Sequence, residues 1–175
     1  MIKAGMLLVA RPNLPARSIF SSAAILLTEH ALNGSTGLIV NKESGHTLND
    51  VLKDQALHTP DDIKVYTGGP VNPHALIMIH TDEWYCSNTM QIPGGFAMSS
   101  DTLMLEKIQT LNRPNDWRLC VGLCGWMPGQ LEHEIKNETW LVCEPTYENI
   151  FVGTGKAQWR KAVDLCASQA VAQFF

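Results

Sequence analysis

The chain has 175 residues, a formal net charge of −4, 45% hydrophobic residues and only 17% charged residues. This composition excludes intrinsic disorder, which requires low hydrophobicity and high charge, and the length favours one domain, which we expect to cover residues 1–175. No uncharged apolar run is long enough for a membrane-spanning helix. Direct nucleic-acid binding is disfavoured because it depends on clustered basic side chains. A surface poor in charge favours self-association.

Taken in chain order, apolar runs separated by turn residues predict seven strands. The clearest hairpin turns at Asn33-Gly34, because both residues tolerate positive φ. The run before Pro12 is a buried first strand rather than a signal peptide, since its apolar stretch is too short. The predicted strands cover residues 6–10, 23–28, 37–41, 64–67, 75–80, 118–122 and 139–143.

Four helices are predicted between or after these strands. Thr47 caps the first of them, with Asp50 at the third position of a capping box. The others cover residues 101–111, capped by Ser99 or Ser100, and residues 128–136 and 156–173. In the last helix the core-facing stripe is predicted to be Trp159, Val163, Cys166 and Ala170. Strands and a hairpin precede the first helix, so the pattern favours an α+β fold over a doubly wound α/β sheet.

The five cysteines are odd in number and match no disulfide framework, so we expect a cytoplasmic protein with free thiols. Cys120, Cys143 and Cys166 lie in apolar segments, and we expect them to be buried and slow to react. Cys86 lies in a polar stretch and is expected to react first, because exposure and thiolate fraction set the rate.

Motifs for cofactor or metal chemistry are incomplete. The run from Gly153 to Lys156 lacks the remaining residues of a phosphate-binding loop and is interpreted as a turn. Glu132-His133-Glu134 lacks the second histidine of a zinc-protease helix. We therefore expect neither a cofactor nor a metal.

Glu29-His30 is the most promising polar pair, because it ends an apolar strand, where scaffolds display functional groups. A serine–histidine or thiol–imidazole pairing at His30 is possible, although no glycine-flanked serine elbow occurs. A histidine with a structural hydrogen bond is the competing interpretation.

Several motifs together resemble the AlgH family, also called the YqgE family. They are the strand 6–12, the Glu29-His30 pair, the strand 37–42, the loop Gly68-Gly69-Pro70-Val71 and the run 125–132, Gly-Trp-Met-Pro-Gly-Gln-Leu-Glu. The resemblance covers about residues 5–170. It implies one α+β domain with a bifurcated, pseudo-barrel-like sheet flanked by helices, in a bacterial cytoplasmic protein. It implies no reaction, since the family has no established biochemical activity.

This sequence departs from the family at a few positions. Thr28 stands where many members have a cysteine before the Glu-His pair, which excludes thiol chemistry at that position. Cys124 stands where alanine or serine is usual. The segment 14–17 lacks the usual aspartate of the first proline-rich turn and is one residue longer before Phe20.

The predicted function is that of a non-enzymatic regulatory or binding protein, a transcriptional regulator by resemblance, which binds a partner protein or a small polar or anionic ligand. The alternative is an enzyme that uses His30 and nearby polar residues. Backbone amides in the glycine loop or at the helix start after Gly129 would favour an anion, although the glycine loop is read first as a sharp turn. Within the ligand site, Asn41 is expected nearer to the glycine loop than to His30. The candidate ligand residues are Glu29, His30, Asn41, Gly68, Gly69, Pro70, Trp126, Gln130 and Glu132.

Overall fold

The computed structural model describes residues 1–53 and 58–174. Within them, strands and short connections precede a long C-terminal helix, as the α+β pattern predicted. The strands are β1 (Leu7–Ala10), β2 (Ala24–Ala31), β3 (Gly34–Ile39), β4 (Glu43–Thr47), β5 (Lys64–Thr67), β6 (Val71–Thr81), β7 (Met90–Ile92), β8 (Phe96–Ser99), β9 (Trp117–Trp126) and β10 (Trp140–Cys143). The helices are α1 (Leu48–Val51), α2 (Thr102–Gln109), α3 (Gln130–Lys136), α4 (Tyr147–Phe151) and α5 (Gly155–Ala172).

The strands form one curled sheet in the order β10-β1-β2-β3-β9-β6-β8-β7. The sheet forks at β9: its C-terminal part pairs antiparallel with β3, whereas Leu119–Val121 pair in parallel with β5. β4 extends the second branch by pairing with β5. This fork is the bifurcated, half-barrel sheet that the family resemblance implied.

Close backbone approach at the fork requires glycine. Gly68 accepts a backbone hydrogen bond from Ile39 and donates one to Val121, so it joins the two branches. A Cβ at Gly68 would lie 2.2 Å from the carbonyl oxygen of Gly122, and one at Gly69 would lie 2.2 Å from the backbone of Leu123. The first two residues of the Gly-Gly-Pro-Val motif therefore allow the branches to pack.

Three apolar clusters hold the fold together. The largest lies between the sheet and α5, and includes Leu26 and Ala162. A second packs the opposite face against α3 through Leu131 and Trp140, and the third places α1 and α2 over β5, β6 and β9.

The structure corrects several sequence predictions. Ala31 pairs directly with Gly34, so the turn residues are Leu32 and Asn33, one position earlier than predicted. A β-bulge between Leu27 and Glu29 shifts the register. Strands β4, β7 and β8 and helix α4 were not predicted. The capping box at Thr47 is confirmed, whereas α2 is capped by Asp101, whose carboxylate accepts from Met104.

The predicted core-facing stripe of α5 is confirmed in part. Cys166 is buried and Trp159 and Val163 pack against the first cluster, whereas Ala170 is exposed. The helix also buries Gln158 and Ala162, and an apolar pattern cannot indicate a buried glutamine.

All five cysteines are buried, as expected for Cys120, Cys143 and Cys166. Cys86 is buried too, because its amide bonds to Thr89 and its side chain packs in the third cluster. At 8% exposed it is the most accessible of the five, and its faster reaction stays a prediction.

Candidate functional site

Several predicted site residues meet at one end of the sheet, where the β2–β3 hairpin lies beside the end of β9 and the start of α3. The hairpin pairs His30 with Ser35, and β3 then pairs Ser35 with Trp126. The chain turns at Gly129, whose φ of 76° favours glycine, and enters α3 at once. This path brings Gln130 and Glu132 towards the hairpin.

His30 joins the hairpin to α3. Its Nδ1 lies 2.7 Å from the Oγ of Ser35, and its Nε2 lies 3.4 Å from Oε1 of Glu132. Ser35 is buried, whereas His30 is half-buried and Glu132 is exposed. The result is a hydroxyl–imidazole–carboxylate chain that runs from the interior to the surface. Both ring nitrogens have polar neighbours, which agrees with a structural role for the histidine.

Glu134 organises the aromatic side of the site. Its Oε2 accepts hydrogen bonds from the indole nitrogens of Trp126 at 3.0 Å and Trp140 at 2.8 Å. Its Oε1 accepts from the amide of Gln130 at 3.0 Å. Gln130 also accepts from the backbone of Met127 at 2.9 Å, so its side chain caps the loop before α3. The Trp126 indole is therefore fixed by a charge-assisted hydrogen bond.

An open cavity of about 530 Å³ lies next to these groups; we call it the hairpin-end pocket. Among the described residues that line it, Glu29 carries the one charged side chain. Val71 and Met127 are exposed and form apolar walls, while Thr36 contributes a hydroxyl that contacts Thr28. The lining is Glu29, Asn33, Gly34, Ser35, Thr36, Val71, Gly125, Trp126, Met127 and Pro128.

Asn41 lies outside this group. It is fully buried, its Oδ1 accepts from the amide of Ala24 at 2.8 Å, and its Nδ2 donates to the carbonyls of Ser22 and Gly155. These bonds tie the end of β3 to the start of α5. Asn41 also borders a separate cavity of about 250 Å³ with Lys42 and Lys156.

The glycine loop contributes to the hairpin-end pocket indirectly. Gly68 and Gly69 are buried at the fork, and Pro70 is exposed. Val71, which follows them, supplies a pocket wall, and a Cβ at Gly125 would lie 3.8 Å from it. Gly68, Gly69 and Pro70, the predicted ligand residues of the loop, therefore position the pocket without lining it.

Four contributors were missed by sequence reasoning: Ser35, Thr36, Val71 and Glu134. Ser35 and Thr36 could have been found from the hairpin alone, because a strand that returns from a tight turn places its first residues opposite the Glu-His pair. Glu134 follows Gln130 by four residues in the predicted helix, a spacing that places the two side chains together. Val71 is the last residue of the Gly-Gly-Pro-Val motif, of which only the first three residues were predicted to bind a ligand.

The described residues contain no cluster of three or more histidine, cysteine, aspartate or glutamate side chains that could hold a metal ion. In the same part of the chain, no helix is long and apolar enough to cross a membrane.

The forked, curled sheet with its flanking helices defines a single-domain, mixed α/β protein with a pocket at the end of a hairpin. The model of the AlgH-like family matches residues 7–170, and the chain belongs to this family.

Its relatives include a UPF0301 protein of Chlamydia felis, 30% identical over 161 residues, which are 92% of this chain and 85% of that protein. Another, from Methylococcus capsulatus, is 33% identical over 91% of this chain and 88% of its own. The solution structure of the AlgH protein from Pseudomonas aeruginosa superposes with a TM-score of 0.80 at 29% identity, covering 93% of this chain and 87% of that one. A Corynebacterium diphtheriae protein of 23% identity shares the fold, with a TM-score of 0.74 over 93% of this chain and 86% of its own.

Proposed function

We propose that this protein is a non-enzymatic, bacterial cytoplasmic binding protein with a regulatory role, and that its hairpin-end pocket receives a basic side chain of a partner protein or a small organic cation. One observation carries the proposal: an exposed carboxylate, Glu29, stands in an open pocket with apolar walls. The side chains of Ser35, His30 and Glu132, which could perform chemistry, already contact one another.

Charge supports a basic ligand. Glu29 is the one charged side chain among the described residues that line the pocket, whereas Glu132 contacts His30 and lines a different cavity, beside Ile135 and Lys136. An anion would be repelled by the Glu29 carboxylate, so this lining favours a cation over the anion that the glycine motifs suggested. The exposed faces of Val71 and Met127 would contact the aliphatic part of a lysine or arginine side chain.

A regulatory role rests on family resemblance, since the family name derives from a suggested role in the transcriptional regulation of alginate production. The net charge of −4 is unfavourable for phosphate contacts. Regulation would therefore act through protein or small-ligand contacts rather than through direct binding of DNA, and self-association stays an additional expectation.

The chain Ser35–His30–Glu132 favours a second candidate, an enzyme with a serine nucleophile. In such an enzyme His30 would accept the proton of the Ser35 hydroxyl, and Glu132 would stabilise the resulting imidazolium. The 2.7 Å contact between Ser35 and His30 fits this arrangement. It ranks second because Ser35 is 6% exposed, which restricts the approach of a substrate to its hydroxyl.

Isothermal titration calorimetry with arginine methyl ester, a small cation with an aliphatic stem, tests the binding proposal. We expect saturable binding that weakens about threefold in Glu29→Gln, the effect of removing one exposed charge pair. The matched control is Glu106→Gln, which removes an exposed carboxylate on α2 and should leave the affinity unchanged. Absence of saturable binding to the parent protein, or equal affinity in Glu29→Gln, would contradict the proposal.

Hydrolysis of p-nitrophenyl acetate separates the two candidates. The binding proposal expects the same slow background rate for the parent protein and for Ser35→Ala. A hydrolysis rate that is lost in Ser35→Ala and in His30→Gln would establish the enzyme instead.

A further inference from the structure

Two of the five cysteines meet in the interior between the sheet and the last helix. Cys143 ends β10, and Cys166 lies in α5. Their sulfur atoms are 2.7 Å apart and in direct contact. Each remaining thiol contacts a different kind of atom: Cys120 and Cys124 approach the backbone oxygens of Ile39 and Gly68, and Cys86 lies near Asn88 and Thr89.

The surrounding structure holds this pair in place. Gln169 lies one helical turn beyond Cys166 and makes two hydrogen bonds to the backbone of Glu144, the residue after Cys143. Its Oε1 accepts from the amide at 2.9 Å and its Nε2 donates to the carbonyl at 2.7 Å. On the other side, β1 pairs Leu7 with Cys143. The helix and the strand are thus fixed on both sides of the sulfur contact.

A groove of about 600 Å³ leads to the pair and is lined by both cysteines, Met6, Gln169 and the exposed Ala170. Cys143 is 2% exposed and Cys166 is 5% exposed. That exposure is small for a bulky alkylating reagent, whereas a compact oxidant is small enough to enter the groove that both cysteines line.

The two thiols differ in acidity. Contact with the Cys143 thiol lowers the pKa of Cys166. The same contact, together with burial, raises the pKa of Cys143 well above its usual range. A thiolate is the reactive form of cysteine, and Cys166 is also the more exposed of the two residues, so we infer that its sulfur reacts first.

We propose that Cys143 and Cys166 form a peroxide-reactive dithiol, which hydrogen peroxide or a small organic hydroperoxide converts into an intramolecular disulfide. The Cys166 thiolate attacks the terminal peroxide oxygen; the O–O bond breaks and hydroxide or alkoxide leaves, so that Cys166 becomes a sulfenic acid. The sulfur of Cys143, losing its proton, then attacks the sulfur of Cys166. The S–O bond breaks, water forms, and the S–S bond closes.

In total, one peroxide is reduced and two thiols are oxidised, with release of two molecules of water when the oxidant is hydrogen peroxide. The second step requires only a short movement, because the two sulfur atoms already touch. A dithiol reductant reverses the reaction by thiol–disulfide exchange. This inference is independent of the hairpin-end pocket, because Cys143 and Cys166 belong to the apolar cluster on the α5 face of the sheet.

To test this, the full chain is oxidised with hydrogen peroxide under native conditions. The remaining thiols are then blocked, and the peptides are mapped by mass spectrometry. We expect the intact protein to lose the mass of two hydrogen atoms, the peptides containing Cys143 and Cys166 to be linked, and dithiothreitol to restore both thiols. Oxidation in concentrated urea is the control for proximity, and there the preference for this pair should disappear.

Variants identify the order of events. Cys143→Ala should leave a sulfenic acid at Cys166 that dimedone traps, whereas Cys120→Ala should form the same disulfide as the parent protein. Irreversible oxidation of Cys166 without a link in the parent protein would overturn the proposal, as would a link between other cysteines or no reaction. If Cys143→Ala does not fold, the peptide map of the parent protein still shows whether the disulfide between Cys143 and Cys166 forms.

Discussion

Two polar clusters of this molecule use similar residues in opposite ways. In the buried hub, formed by Asn41, Arg118 and Gln158, hydrogen bonds cross 40 to 114 residues of sequence: Asn41 and Arg118 donate to backbone carbonyls, and Arg118 also donates to the side chain of Gln158. At the hairpin end, His30 makes its short hydrogen bond to a residue only five positions away. The hub joins distant segments, whereas the hairpin-end cluster borders an open pocket.

A polar residue near a strand end therefore serves one of two roles: it stabilises the fold, or it is available to a ligand. Arg118 is 6% exposed and donates to the backbone oxygens of Val40 and Gly153 and to Gln158, while its guanidinium lies 4.5 Å from the ring centroid of Tyr66. These three acceptors belong to separate segments of the chain, so the Arg118 side chain stabilises the fold. Glu29, in contrast, projects into the pocket from an exposed position.

The largest expected effect comes from Arg118→Ala, which leaves buried oxygens on three segments without a donor. We expect the free energy of unfolding to fall by about 4 kcal/mol, because several buried acceptors each lose a hydrogen bond. Urea unfolding monitored by tryptophan fluorescence measures it. Arg160→Ala, an exposed arginine on α5, is the control and should change stability by less than about 0.5 kcal/mol. If both variants lost similar amounts of unfolding free energy, the hydrogen bonds of the hub would not stabilise the fold.

Asn41→Ala is expected to reduce the free energy of unfolding by about 2–3 kcal/mol. The substitution leaves the buried amide of Ala24 without its acceptor and removes the donor to Ser22 and Gly155. The same denaturation experiment checks this value, with Asn115→Ala as an exposed control. A loss below about 0.5 kcal/mol would place Asn41 outside the hub.

A pH titration of stability extends the comparison to another buried polar side chain, His80, which belongs to neither cluster. Burial lowers the pKa of His80 below its ordinary value of 6.5, and its ring nitrogens contact the Thr81 carbonyl and the Ser99 hydroxyl, each at 2.8 Å. Below pH 6.5 the unfolded chain binds a proton that the folded chain resists, so stability should be lost as the pH falls from 6.5 towards the lowered pKa. His80→Gln should flatten that part of a stability curve recorded between pH 7 and pH 5. An unchanged slope would contradict the assignment.

The smallest effect on stability is expected at the hairpin end. His30→Gln removes a contact at a half-exposed position, so the free energy of unfolding should change by about 1 kcal/mol or less. Thermal and urea denaturation of the variant against the parent protein measure this. A loss comparable to that of Arg118→Ala would make His30 part of the structural framework and remove the distinction between the two clusters.

Local patterns were enough to predict the strands that form most of the sheet, and the family resemblance implied its fork. Asn41 shows why the site was harder to predict. A buried asparagine bonded to Gly155 and an exposed one in a pocket look the same in one sequence, because the contact that decides between them crosses 114 residues. The meeting of Cys143 with Cys166 was not predicted either, since it depends on how α5 rotates on the sheet.

The central claim, that ligand binding belongs to the hairpin end and not to the hub, is tested most directly by a chemical-shift map. The ¹⁵N-labelled protein is titrated with arginine methyl ester while its amide and indole resonances are followed. We expect saturable shifts at Glu29, Thr36, Gly125 and the Trp126 indole, with the resonances of Asn41 and Gly155 unmoved. Shifts centred on Asn41 and Gly155, with those of the hairpin unchanged, would contradict it.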